Sequence, residues 1–294
     1  MAPLFILTCM RSYSSLVSSM LGQHSGLYCL PEVNPFIADT LGSGVDLLQM
    51  VRKRTLDGLF RAVAELEYGE QTAETVAAAQ HWVGQRRGWS PVQLMGYFAE
   101  QVAPKRLIEK SPSTVLNLER LDQALVLFPE AYFLHLYRHP VATCSSIAKI
   151  TQAGSGSRGA AGRGKTRDPE KSWYGANRAI LDLSTRIPLH RFMSVRGEDV
   201  LGDPDNFLGQ ICLWLGLESS AQDFRAMRMP ENSPYAGIGP ASAPFGNDPG
   251  FLKAPRYAKR EIVLPPLNSE LDWAEPGRRL RPETVDLSYQ LGYV

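Results

Sequence analysis

The 294 residues carry 31 Lys and Arg against 30 Asp and Glu, a net charge of +1, and 44% of them are hydrophobic. This balance predicts one globular domain over residues 1–294 with a substantial apolar core. The charge favours no nucleic-acid partner and no membrane surface, so any anion site must be local. Residues 3–10 lack the features of a signal peptide, and no apolar run is long enough to span a bilayer. We therefore expect a cytoplasmic protein without a membrane span.

The chain begins with a predicted buried strand at residues 3–7, a turn rich in hydroxyl residues, and a predicted helix from residue 16. The first N–H groups of a helix have no internal partners, and the helix dipole is positive there, so this end suits an anion. An ordinary serine-rich helix start fits the stretch equally well. The turn matches neither G-x-x-x-x-G-K-[ST] nor G-x-G-x-x-G, which disfavours a nucleotide triphosphate loop. The candidate anion ligands are Arg11, Ser12, Tyr13, Ser14 and Ser15.

A second short strand is predicted at residues 27–30, and Glu32 follows it. Residues that follow parallel strands collect along one edge of the sheet, so Glu32 would lie beside Arg11. A carboxylate there could act as a general base for a hydroxyl, although a solvated loop glutamate is also consistent with this stretch. Residues 36–103 have the composition and apolar spacing of a helical insert, including one helix over 45–66.

Further strands are predicted at residues 106–109, 131–137 and 192–195. The alternation of strands and helices predicts an α/β fold, with a central parallel sheet flanked by helices. Lys110 directly follows one of these strands. His135, within another, is expected to be a core histidine rather than a catalyst.

Two glycine-rich segments interrupt this pattern. Residues 152–168 predict a flexible basic loop, which is either a lid over an anionic ligand or a solvated surface loop. Residues 230–256 are rich in Pro and Gly and predict a long loop that is either functional or disordered. The basic residues Lys253, Arg256, Lys259 and Arg260 could close over a nucleotide or recognise a partner's phosphate, and a solvated basic edge fits them equally well.

The four cysteines, at positions 9, 29, 144 and 212, are widely spaced and form no C-x-x-C pair. We expect reduced, buried thiols, and neither a disulfide nor a metal site.

Four segments, in this order, resemble motifs of sulfotransferases that use 3′-phosphoadenosine-5′-phosphosulfate (PAPS). The turn from Arg11 to Ser15 resembles the 5′-phosphosulfate loop, and residues 109–112 resemble a Glu-Lys-Thr-Pro segment. Arg138, followed by His-Pro and by Ser146 eight residues on, resembles the 3′-phosphate signature. Residues 195–200 resemble a Val-Arg-Tyr-Glu-Asp-Leu segment. The resemblance covers residues 3 to about 217 apart from the helical insert. It extends to bacterial members acting on natural products or acyl chains, and to the tyrosylprotein branch.

The resemblance implies a P-loop-like sulfotransferase fold, PAPS as donor, adenosine 3′,5′-bisphosphate as product, and no metal. Residues 11–15 would bind the 5′-phosphosulfate, and Arg138 and Ser146 the 3′-phosphate. Lys110 would stabilise the charge that develops on the leaving group together with Arg11. Glu32 matches the position of a glutamate proposed as base in the tyrosylprotein branch.

Two positions depart from the family pattern. Tyr13 replaces a loop glycine, so its ring could face either ligand or core. Gly197 replaces a frequent tyrosine, which puts adenine support from that position in doubt. Trp173 could supply stacking instead, or could be a core tryptophan.

The expected acceptor is an alcohol hydroxyl of a small molecule or of a carrier-bound acyl substrate in secondary metabolism, with a carbohydrate or glycolipid next. Two other classes remain open from the residues alone. These are an ATP-using kinase-like enzyme and a non-catalytic nucleotide-binding module.

Overall fold

The computed structural model describes residues 1–155, 168–259 and 262–294. Its centre is one parallel sheet, as the sequence predicts, and the strand order is β2-β3-β1-β4-β5. The first strand is therefore the middle one, and β2 and β5 are the edges. The strands are β1 (Leu4–Leu7), β2 (Leu27–Cys29), β3 (Arg106–Glu109), β4 (Tyr132–Tyr137) and β5 (Phe192–Arg196).

Helices cover both faces of the sheet. They are α1 (Ser14–Leu21), α2 (Leu41–Arg52), α3 (Asp57–Tyr68), α4 (Ala73–Gln85), α5 (Pro91–Gln101), α6 (Leu118–Leu127), α7 (Pro140–Ser155), α8 (Pro169–Ser184), α9 (Gly197–Gly202), α10 (Pro204–Trp214), α11 (Ala221–Met227), α12 (Pro249–Lys253) and α13 (Pro282–Gln290). Within the described ranges, none of these helices has the length and apolar character needed to cross a membrane.

The core lies on both sides of β1, which explains why that strand is apolar at consecutive positions. All four residues of β1 are buried. Phe5 and Leu7 belong to one apolar cluster, and Leu4 and Ile6 belong to the other. All four cysteines are buried, as predicted.

The register of the sheet aligns the strand ends that carry the candidate residues. Phe5 of β1 pairs with Glu109 of β3, and Leu7 pairs with His135 of β4. The residues that follow β1, β3 and β4 therefore emerge at the same edge. His135 itself is a core residue, as predicted. Its Nε2 lies 2.9 Å from Oδ1 of Asn177, and burial lowers its pKa to about 4.

The helical insert is present, with α2 to α5 between β2 and β3. The prediction of one helix over 45–66 is wrong, because a 3-10 turn at Lys53–Leu56 separates α2 from α3. The predicted basic loop at 152–168 begins later than expected, because residues 152–155 belong to α7, and residues 156–167 lie outside the described residues. The Pro/Gly-rich segment at 230–256 contains α12, a short helix that begins at a proline.

Candidate active site

The candidate site lies at the carboxyl edge of the sheet, where α1 begins. A cavity of about 300 Å³ opens there. It is lined by Arg11, Tyr13, Ser14, Ser15, Leu16, Arg138, Leu201, Asp248, Gly250, Phe251, Ala254, Arg256 and Ala258. Glu32, Lys110 and Ser146 are absent from this lining. Ser146 and Lys110 contact the lining residues Arg11 and Ser15, and Glu32 contacts Lys110.

The turn between β1 and α1 has an unusual backbone. Arg11 and Tyr13 both adopt left-handed conformations, with φ of 68° and 65°. Tyr13 is the N-cap of α1 and supplies no side-chain cap to the helix. The first N–H groups of α1 are therefore available to an anion in the cavity.

Arg11 connects three separate parts of the chain. Its Nε donates a hydrogen bond of 2.9 Å to Oγ of Ser146 on α7, so two of the predicted binding residues are in direct contact. Its guanidinium also forms a salt bridge with Asp248 at the start of α12. Burial, and secondarily the positive charge of Arg138, lower the pKa of Arg11.

Lys110 is fully buried and uses all three of its N–H bonds. Its Nζ donates to Oε1 of Glu32 at 2.7 Å, to Oγ of Ser15 at 3.0 Å and to Oδ1 of Asn247 at 3.2 Å. Ser15 Oγ also accepts a 3.0 Å bond from the backbone N–H of Asp248. A hydroxyl that accepts two bonds can direct its own hydrogen to a ligand.

Contacts of its backbone, in addition to the ion pair of its side chain, fix the position of Glu32. Its N–H donates to the carbonyl of Gly246 at 2.7 Å, and its carbonyl accepts from Nδ2 of Asn34 at 3.1 Å. Gly58 of α3 packs directly on it, since a Cβ at position 58 would lie 2.1 Å from the Glu32 carbonyl oxygen. The Glu32 side chain is 29% exposed, so a group that arrives from outside can reach it.

Arg138 lies on the other side of the turn. One of its terminal nitrogens donates to the carbonyl of Arg11 at 2.9 Å, and its guanidinium carbon lies 4.2 Å from the ring centroid of Tyr13. Three cationic side chains, of Arg11, Lys110 and Arg138, thus converge on one turn. They can bind a ligand that carries several negative charges.

A model of the sulfotransferase family matches residues 3–221. The chain belongs to the sulfotransferase family. A sulfotransferase domain from the curacin biosynthetic pathway is 24% identical and superposes with a TM-score of 0.79, over 100% of this chain and 98% of that one. A sulfotransferase domain from the olefin synthase of Synechococcus PCC 7002 is 27% identical, with a TM-score of 0.76, over 99% and 94% of the two chains. A comparison with curated proteins gave no match.

Two further residues of this sulfotransferase, Trp173 and Lys253, were candidates for contact with a ligand. The idea that Trp173 stacks on a ligand is wrong, because its side chain is 0% exposed and its Nε1 donates to the Arg138 carbonyl at 2.8 Å. Lys253 is exposed at the last position of α12 and is not part of the cavity lining, whereas Arg256 is. The role of Lys253 stays a prediction.

The remaining loop residues of this sulfotransferase lie close to the cavity. Ser14 lines it. Ser12 is fully buried, and its hydroxyl has no hydrogen-bond partner among the described residues.

Asn247 and Asp248 contact Lys110 and Arg11, although the sequence indicates no role for either residue. The signal that was available is the Asp-Pro pair at 248–249. It is typical of a helix start, and Asp248 indeed accepts from the N–H groups of Gly250 and Phe251.

A buried polar network supports the loop that carries Glu32. Ser111 Oγ donates a short hydrogen bond to the Glu109 carboxylate and accepts one of 2.9 Å from the backbone N–H of Asn34. Asn34 adopts a left-handed conformation, with φ of 54°. Burial raises the pKa of Glu109 to about 7. The network joins the end of β3 to the chain two residues beyond Glu32.

Proposed function

We propose that this sulfotransferase takes a sulfuryl group from PAPS and transfers it to an alcohol hydroxyl, with Glu32 as the general base. The observation that supports this most is the convergence of Arg11, Lys110 and Arg138 on the N-terminus of α1, with the Glu32 carboxylate on Lys110. Cations and free amides on one side, and a carboxylate on the other, suit an anionic donor and a neutral acceptor that must lose a proton.

The residues present fit a donor that carries phosphate at two ends. Buried polar atoms without partners in the described part of the chain include Ser12 Oγ and Arg138 Nε, both beside the turn. The donors around the cavity are guanidinium, ammonium, hydroxyl and backbone N–H groups, which are the groups that bind phosphate and sulfate oxygens. Arg11 and residues 12–15 would bind the 5′-phosphosulfate, and Arg138 and Ser146 the 3′-phosphate.

PAPS, when bound, supplies an activated sulfuryl group and a bisphosphate leaving group. Glu32 accepts the proton of the acceptor hydroxyl as the new bond to sulfur forms. Lys110 and Arg11 stabilise the negative charge that the departing oxygen gains. The reaction depends on alignment of the two substrates and on charge stabilisation, and it needs no covalent enzyme intermediate.

For the acceptor we propose a small-molecule alcohol or a hydroxyl on a carrier-bound acyl chain, as in secondary metabolism. The similarity to a sulfotransferase domain of an olefin synthase supports this class. A carbohydrate or glycolipid is the next candidate and serves as a comparison in the experiment.

The decisive experiment offers PAPS and a panel of alcohols to the protein and detects the mass gain of one SO₃ group. The panel contains free and carrier-bound hydroxyacyl chains and sugars. In parallel, calorimetry compares adenosine 3′,5′-bisphosphate with ATP plus magnesium. We expect a sulfated product and tighter binding of the bisphosphate. Preference for ATP would refute PAPS as the donor. Full turnover in Glu32→Gln, with bisphosphate binding intact, would refute Glu32 as the base.

A further inference from the structure

The ring of Tyr13 sits in a position that the backbone would otherwise give to glycine. Its φ of 65° is in the left-handed region, which disfavours residues with a Cβ. A tyrosine held in that conformation must gain from contacts of its side chain.

The contact that stands out is with Arg138. The guanidinium carbon of Arg138 lies 4.2 Å from the ring centroid of Tyr13, which is the geometry of a cation–π interaction. Arg138 also donates a hydrogen bond to the Arg11 carbonyl, accepts one from Trp173 through its own carbonyl, and interacts by charge with the Glu198 carboxyl. Its Nε is buried and has no hydrogen-bond partner in the described ranges. Tyr13 is the side chain on whose ring face this guanidinium lies.

Room for the ring depends on the first residue of α9. A Cβ placed on Gly197 would lie 2.8 Å from Cδ2 of Tyr13, closer than side-chain atoms pack. The ring thus fills space that any other residue at position 197 would occupy. Tyr13, Arg138 and Gly197 form one packed unit at the ends of β1, β4 and β5.

We infer that Tyr13 is a positioning residue that orients Arg138 toward the 3′-phosphate of the donor, and that Gly197 makes the space for it. This inference rests on the proposed function, in which Arg138 binds the 3′-phosphate. Loss of the ring should therefore weaken binding of a nucleotide that has a 3′-phosphate and leave binding of one without it nearly the same.

Calorimetry with two nucleotides tests this without any turnover. Adenosine 3′,5′-bisphosphate and adenosine 5′-monophosphate differ only in the 3′-phosphate. The unaltered protein should bind the bisphosphate at least about tenfold more tightly. Tyr13→Gly suits the left-handed backbone, so the turn should persist. It should weaken bisphosphate binding by about three- to thirtyfold while monophosphate binding changes little.

Two further variants separate orientation from simple damage to the turn. Tyr13→Phe keeps the aromatic face and should restore the preference for the bisphosphate. Gly197→Ala should displace the ring and act like Tyr13→Gly, whereas Gly202→Ala in the same helix has open space and is the matched control. Thermal melting of each variant shows whether it is folded.

The outcomes distinguish the two proposals. If the unaltered protein does not prefer the bisphosphate, the assignment of Arg138 to the 3′-phosphate fails. If it does, but Tyr13→Gly weakens both nucleotides equally or neither, the orienting role of Tyr13 is refuted and the proposed function stands.

Discussion

Nζ of Lys110 lies 2.7 Å from Oε1 of Glu32, and the lysine side chain is fully buried while that of the glutamate is 29% exposed. In the proposed function, this ion pair joins the side that binds the donor, through Ser15, to the side that the acceptor reaches. The proposed role of Lys110 is then a fixed positive charge, preorganised for the moment at which the leaving oxygen becomes negative.

Replacement of Lys110 should therefore act on the chemical step. We expect Lys110→Met to reduce kcat by roughly 10²–10³-fold, since that is the typical cost of removing a preorganised charge or donor. Steady-state kinetics with PAPS measure this. Lys149→Met is the matched control because that side chain is 72% exposed on α7. An unchanged kcat would exclude a role for Lys110 in charge stabilisation.

The close approach of Gly58 to Glu32 makes a second prediction. A methyl group at position 58 would overlap the Glu32 carbonyl oxygen, so Gly58→Ala should shift the loop and lower kcat, while affinity for adenosine 3′,5′-bisphosphate is retained. Gly84→Ala in α4 meets open space and should leave kcat unchanged. Equal kcat in the two variants would show that the position of Glu32 does not matter for turnover.

Asp248 places a carboxylate against Arg11, where the donor's anion is proposed to bind. We expect Asp248→Asn to tighten bisphosphate binding by about two- to fivefold, because the asparagine removes the competing charge and its carbonyl can keep the caps on Gly250 and Phe251. Calorimetry measures this, with Asp205→Asn in a surface salt bridge as control. Weaker binding in Asp248→Asn would instead mean that the carboxylate supports the nucleotide site.

Glu109 gives a prediction on stability. Burial raises its pKa from 4.5 to about 7, so the folded state keeps a proton that the unfolded state loses in that range. The contribution of Glu109 to the free energy of unfolding therefore declines as the pH rises from about 4.5 to about 7. Glu109→Gln keeps an acceptor for Ser111 and should stabilise the protein by about 3 kcal/mol above about pH 8.

Denaturant titrations of the unaltered protein and of Glu109→Gln across this pH range measure the predicted difference in stability. Glu100→Gln, at an exposed site on α5, is the control. If the decline in stability with pH is the same in Glu109→Gln as in the unaltered protein, Glu109 is not its source.

Much of the fold could be predicted from the sequence, because buried parallel strands leave short continuous apolar runs. Arg11, Lys110 and Arg138 each follow such a run closely, so their meeting at one edge follows from parallel topology alone. The break between α2 and α3 could not be predicted, since both helices continue the same apolar spacing across it.

The contacts of Asn247 and Asp248 with Lys110 and Arg11 could not be predicted from the sequence either. They lie in a Pro/Gly-rich segment without periodicity, and nothing local indicates which part of the molecule it packs on. The two departures at positions 13 and 197 appeared unrelated in sequence. The structure relates them, because the ring of Tyr13 occupies the space that a side chain at position 197 would need.

The strand order β2-β3-β1-β4-β5 has a consequence for how acceptors can change. The cations proposed to bind the nucleotide follow the three inner strands, whereas Glu32 follows the edge strand β2, directly before the insert of α2 to α5. Under the proposed function, exchange of that insert would remodel the entrance for the alcohol, while the strands that carry the proposed anion ligands would be kept. The same sheet would then serve different alcohols.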